Sequence, residues 1–149
     1  MSTISGGSRA NASSSKVIVN GILAGLAGGL VFGAMMAVMG MLPMVGMLIR
    51  QENAFVGFIV HMGISAFIGA FYGLVISRFD NSSRTAVIGG VINGVVWWAL
   101  GALILMPLGL GMTDMVFAIG QPQWMSLLGH IIYGLITAFV FRYLARRGI

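Results

Sequence analysis

Four stretches of this chain, residues 17–42, 54–77, 85–107 and 124–145, are apolar throughout, with Arg142 as the single charged residue among them. A helix rises 1.5 Å per residue, so about 20 apolar residues cross the ~30 Å hydrocarbon core of a bilayer. Lipid cannot satisfy a backbone N–H or C=O, so such a run must fold as a helix. The remaining sequence offers no way to make a soluble surface. Only 7% of the 149 residues are charged, where a soluble domain carries roughly 25%. Mean hydropathy is +1.01. The expected fold is an all-α membrane protein with four transmembrane helices.

The breaks between the runs divide the chain. Pro43 and Pro107 are expected to end the first and third helices, because proline disfavours helix at the residue before it. RFDNSSR, Arg78 to Arg84, is a short polar turn. Residues 1–16 are small and polar, with too little apolar surface to offset the entropy of ordering, and read as a flexible cytoplasmic tail. That tail lacks the apolar core and cleavage pattern of a signal peptide, so the first run is a true span. The expected organisation is a tail (1–16), a first helical hairpin (17–78), a turn (79–84) and a second hairpin (85–149).

With four spans, Arg9, Lys16, Arg78, Arg84, Arg142, Arg146 and Arg147 fall on one side and Arg50 on the other. Basic loops stay cytoplasmic, which places both termini there and the protein in the inner membrane. This topology accounts for the net charge of +5 without nucleic acid as a partner.

The two hairpins match each other. FVGFIVHMGISAFIGAFYGLVISR, Phe55 to Arg78, parallels WMSLLGHIIYGLITAFVFRYLARR, Trp124 to Arg147, pairing His61 with His130 and Arg78 with Arg147. Aligning Pro43 on Pro107 pairs Gly25 with Gly89 and Ala37 with Gly101. Two helices per copy imply parallel repeats about an axis along the membrane normal. Gly21, Gly25, Gly29 and Gly33 recur every four residues as overlapping GxxxG motifs, which let helix backbones approach closely. Gly57, His61, Ser65, Gly69 and Gly73 share one face of the second span; His130, Gly134 and Ala138 share one face of the fourth.

His61 and His130 lie inside the spans, and ionisable groups there are candidates for function by default. Three readings stand: imidazoles bonded to neighbouring carbonyls or serines, a pair of haem ligands, or part of a proton or ion path. The acidic residues Glu52, Asp80 and Asp114 all fall in loops, which weakens the third. The methionines from Met35 to Met47 suit Cu(I) but serve equally as flexible packing. No cysteine is present, which removes thiolate metal sites and thiol nucleophiles. Trp97 and Trp98 are expected near mid-span, filling space opposite glycines. Asn20 and Asn93 are expected to bond between helices, and Trp124 and Tyr143 to anchor the last span at its two interfaces. MVGMLI and MTDMVFAI, in the outer loops, read as short interfacial helices. No catalytic set or phosphate loop is visible.

One pattern carries a resemblance. WWALGALILMPLGLGM followed by QWMSLLGHIIYGLITAFV, with Trp97, Trp98, Pro107, Ser126, Leu127, Gly129, His130, Tyr133 and Gly134, resembles a group of small four-span bacterial and archaeal membrane proteins of unknown function. The resemblance implies the four-span architecture and no activity.

The function expected from these residues is a non-enzymatic accessory or oligomer-forming subunit without cofactor or metal. It would sit in the lipid bilayer as a homo-oligomer or within a larger membrane complex. The alternatives are a haem-binding electron-transfer subunit using His61 and His130, and a channel or transporter. Reporter fusions at Ser83 and after Ile149 are expected to give the same cytoplasmic signal; a periplasmic signal at either is incompatible with four spans.

Overall fold

A computed structural model describes the backbone of residues 6–149, with side chains described from Ser13 onward. The helices are α1 (Gly6–Val38), α2 (Leu42–Gly46), α3 (Ala54–Ile76), α4 (Ser83–Trp97), α5 (Met106–Gly109) and α6 (Gln121–Arg147). A π-helical segment, Trp98–Leu105, joins α4 to α5 without a break. There is no strand among the described residues. Four helical stretches are long and apolar enough to cross a membrane: Ser13–Val38, Ala54–Ile76, Ser83–Gly109 and Gln121–Arg147.

The helix starts are written in the sequence. Asn53 Oδ1 accepts from the N–H groups of Phe55 and Val56 at 2.9 and 3.1 Å and caps α3. Ser82 Oγ accepts from Thr85 N at 3.1 Å and caps α4. At α6, Gln123 reaches back to accept from Gly120 N at 2.9 Å. Each satisfies a donor that the first turn of a helix leaves open.

Three boundaries differ from the sequence reading. α1 runs back to Gly6, into the segment expected to be a tail; residues 1–5 of that segment lie outside the described residues. Once a span has nucleated, adding a residue fixes few dihedrals for one hydrogen bond, so even Ser and Asn can extend it. Pro43 does not end α1. Gly40 does, at φ +68°, with Met41 N donating to Met36 O and Gly40 N to Ala37 O. That is the Schellman closure, which needs a left-handed residue and favours glycine. Pro43 instead opens the short α2, where its missing N–H costs nothing. Pro107 does not end the third span either, which continues to Gly109. Proline leaves the carbonyl four residues back without its helical donor; here that carbonyl, Leu103 O, accepts from Phe117 N at 3.1 Å.

α1 is central. It packs on α3 along one side and on α6 along another, and α6 in turn packs on α4. The α1–α3 contact runs along Gly21, Gly25 and Gly29. A Cβ at Gly25 would strike Ser65 O and lie 2.8 Å from Gly69 Cα, and one at Gly29 would lie 2.5 Å from Ser65 Cβ. From the other side, a Cβ at Gly69 would strike Gly21 O, and one at Gly73 would fall 2.9 Å from Val17 O. Gly33 faces Phe58 and His61. Gly57 faces the carbonyl of Leu42 and so holds α2 against α3.

The α4–α6 contact is built alike, with a shift. A Cβ at Gly90 would lie 2.7 Å from Gly134 O and 3.0 Å from Ala138 Cβ, and one at Gly94 would strike His130 O. Gly90, not Gly89, therefore takes against α6 the place that Gly25 takes against α3. Gly89 meets the side chains of Ile76 and Tyr72 instead.

In lipid no hydrophobic force holds helices together, so close contact must do so. A leucine at Gly29 has to displace Ser65. Gly29→Leu is expected to destabilise the protein by about 2 kcal/mol or more. Leucine at Val31, which is 42% exposed, should change stability by less than about 0.5 kcal/mol. Thermal unfolding of both variants in one detergent checks the contrast.

Candidate functional site

The second stripe of α1, one residue behind the glycines, is Asn20, Ala24, Gly28, Phe32 and Met36, all buried. It meets α6. A Cβ at Gly28 would lie 2.6 Å from Thr137 Oγ1 and 2.7 Å from Tyr133 O, and Gly129 gives room for the Phe32 ring. Ala24 packs with Ala138 and Phe141.

Phe32 brings the two histidines together. The ring of His61 stands edge-on to Phe32 at 5.4 Å between centroids, and that of His130 at 4.8 Å. His61 Nε2 lies 2.9 Å from Gly29 O, with Ser65 Oγ 3.5 Å from the same nitrogen. A carbonyl only accepts, so Nε2 carries the proton and donates. His61 thereby ties α3 to α1. His130 Nδ1 lies 2.7 Å from Ser126 O, one turn back in its own helix, with Ser126 Oγ at 3.3 Å. By the same logic Nδ1 is the protonated nitrogen. Tyr133 Oη donates to Ser65 O at 2.7 Å, linking α6 to α3 across α1.

The side chain that lies against both histidines is Phe32. Bis-histidine ligation needs a lone pair from each imidazole directed at one iron, with a macrocycle between them. His61 Nε2 and His130 Nδ1 donate to carbonyls, which leaves the lone pairs on His61 Nδ1 and His130 Nε2, and both imidazole rings lean on the one Phe32 side chain. Among the described residues no three His, Asp or Glu side chains cluster as a metal site. Of the polar groups here, His61 Nε2, His130 Nδ1 and Tyr133 Oη each donate to a helix carbonyl.

Other candidate residues fall elsewhere. Trp97 and Trp98 do not fill space opposite glycines. Trp97 receives Phe67 and Phe71 edge-on, each at 6.2 Å. Trp98 Nε1 donates to Gln123 O at 2.9 Å, and its ring stacks on Trp124 at 6.0 Å, near the start of α6. Met36 is core, with Met35 and Met41 packed beside it, whereas Met39, Met44 and Met47 are exposed. In the connection after the first span, α2 and a 3-10 turn over Met47–Ile49 are present, and the connection after the third holds a 3-10 turn over Thr113–Met115. Asn20 Nδ2 donates to Ile149 O at 2.7 Å rather than to a neighbouring span.

At the basic end, where Arg78, Arg84, Arg146 and Arg147 lie, Arg142 Nε donates to Asn81 O at 3.4 Å and Arg147 sits over the Tyr143 ring at 4.7 Å. Asp80 accepts from Thr85 Oγ1 at 2.7 Å in the turn there. The Ser82 and Thr85 hydroxyls hold its carboxyl below the usual carboxylate range.

No known family description matches the chain, and no match was found among curated proteins or solved structures.

Because His61 bonds between helices and His130 within one, the two should differ when removed. His61→Ala is expected to cost about 1 kcal/mol and His130→Ala distinctly less. Unfolding midpoints in detergent, with the visible absorption spectrum recorded on the same samples, read both the stability difference and any Soret band.

Proposed function

We propose that the protein is a small non-enzymatic subunit of the inner membrane that works by associating with a second copy or a larger membrane complex. Its polar core residues support this reading, since His61, Ser65, Ser126, His130 and Tyr133 are spent on bonds within the bundle. The observation that carries it is Gly63. A glycine inside a helix costs roughly 0.5–1 kcal/mol relative to alanine. The glycines at 21, 25, 69, 90, 94 and 134 offset that cost with contact to a neighbouring backbone. Gly63 has nothing within 4 Å of where a Cβ would be. It lies exposed on α3, between Ile59 and Phe67, which are 55% and 64% exposed. A notch of this kind on a lipid-facing surface is what a second helix needs to approach closely. Gly101, in the π segment, is open in the same way.

The proposal includes two fused hairpins related as parallel repeats, supported by the alike packing of Gly25 and Gly29 on α3 and of Gly90 and Gly94 on α6. It includes both termini on the cytoplasmic side, supported by the charge asymmetry, and kinship with the four-span group that the Trp97–Trp98 and Ser126–Gly134 pattern resembles. A channel or transporter would have to work without a carboxylate in the spans, since Glu52, Asp80 and Asp114 all lie in connecting segments.

Gly63→Leu should convert the assembly to monomer in mild detergent or nanodiscs while leaving the unfolding temperature unchanged or raised. Light scattering coupled to size exclusion reads the first quantity. A wild-type protein that is strictly monomeric and purifies without a partner sinks the reading.

A further inference from the structure

The four long helices do not close on all sides alike. α1 and α6 pack backbone to backbone. α3 and α4 meet through long side chains, Phe67 and Phe71 on Trp97 and Tyr72 and Ile76 on Gly89. Between them runs an apolar groove of about 350 Å³, walled by Phe71, Val75, Ile88, Ile92, Val96 and Trp97. Ile88 and Ile92 are 48% and 56% exposed, so the groove opens sideways toward lipid. Along α4 it extends from Thr85 to Trp97, about 18 Å at the helical rise. One leaflet of a bilayer core is ~15 Å thick. The groove is thus the length of one acyl chain of the leaflet at the basic end.

A second cavity, of about 370 Å³, lies at that end among Lys16, Asn20, Ser77, Asp80, Ser82 and Arg142. Tyr72, Ile76, Phe79 and Thr85 line both spaces, so a single wall separates a cavity of mixed polar and apolar lining from a groove that is almost wholly apolar. Lys16 Nζ donates to Gly148 O at 3.1 Å and Arg142 Nε to Asn81 O at 3.4 Å. An ammonium has three N–H donors and a guanidinium five, so each cation keeps donors for another acceptor. Asp80 is the opposing charge, and its carboxylate is engaged by Thr85. Asn20 is 4% exposed, and its Oδ1 has no hydrogen-bond partner. A buried acceptor left unmet is costly, and its residue, Asn20, lines the cavity. Asn93, in the groove wall, is 8% exposed and leaves Nδ2 unmet.

We propose that these two spaces form one binding site for an anionic glycerophospholipid whose headgroup carries hydroxyls. The phosphate lies on Lys16 and Arg142, a headgroup hydroxyl donates to Asn20 Oδ1, and one acyl chain fills the α3/α4 groove. A positive cavity alone would take any anion, and an apolar groove alone any chain; their shared wall selects a molecule with both. The site is independent of the Gly63 notch.

The test is native mass spectrometry of the full chain released from nanodiscs of dioleoyl phosphatidylglycerol, dioleoyl phosphatidylcholine or an equal mixture of the two. Wild type should retain phosphatidylglycerol over phosphatidylcholine by about tenfold or more, a difference of about 1.4 kcal/mol. The double variant Lys16→Gln, Arg142→Gln should lose the preference. Ile92→Trp, which plugs the groove, should lose retention of both lipids. Unfolding temperatures in lipid-free detergent confirm that each variant is folded; one that is not is replaced by Lys16→Gln alone or Val96→Phe. Equal retention of the two lipids by wild type, or wild-type retention of phosphatidylglycerol by either folded variant, overturns the proposal.

Discussion

Close approach of backbones along α1 is the contact on which the rest of the bundle depends. In lipid the apolar surface of a helix gains nothing by leaving its solvent, so association rests on short-range contact and hydrogen bonds. α1 supplies contact on two sides. Gly21 and Gly25 admit α3 to backbone distance and Gly29 makes room for the Ser65 side chain, while Ala24, Gly28 and Phe32 receive α6. α4 is then held by α6 and does not need α1.

The same closeness makes the polar core possible. A helix carbonyl already accepts one bond from its own helix and has a second lone pair. With the backbones this near, Gly29 O and Ser65 O come within reach of His61 and Tyr133. The histidines thus act as interhelical or intrahelical donors, a role open to any imidazole. Removing the glycines would remove the bonds too, because the carbonyls would move out of range.

The sequence made the spans legible because lipid imposes a length, and it made Gly21, Gly25, Gly29 and Gly33 legible because one residue type recurs at one spacing. The neighbouring stripe of Asn20, Ala24, Gly28, Phe32 and Met36 has the same spacing but five side-chain types, so nothing marked it as a second packed face. Phe32, which joins both histidines, was missed for that reason; a search for i+4 positions opposite Gly129 would have pointed to it. Gly40 was masked by Pro43, the stronger breaker on paper. The helix continued past Pro107 because a donor from Phe117, ten residues on, stood in for the missing one, and a long-range substitution of this kind leaves no local mark. The one-residue shift from Gly89 to Gly90 was set by packing against α6, which alignment on the prolines could not sense.

The two faces of α1 are filled by segments made at different times. α3 follows α1 after a short connection, whereas Gly129, the seat of Phe32, is almost a hundred residues further along the chain. At about 5–20 residues per second, the first hairpin exists alone in the membrane for several seconds before α6 is made. During that interval Asn20, Gly28 and Phe32 face lipid or whatever else is at hand. The nascent hairpin therefore carries an open, partly polar seam that is filled only when its own later segment, α6, arrives.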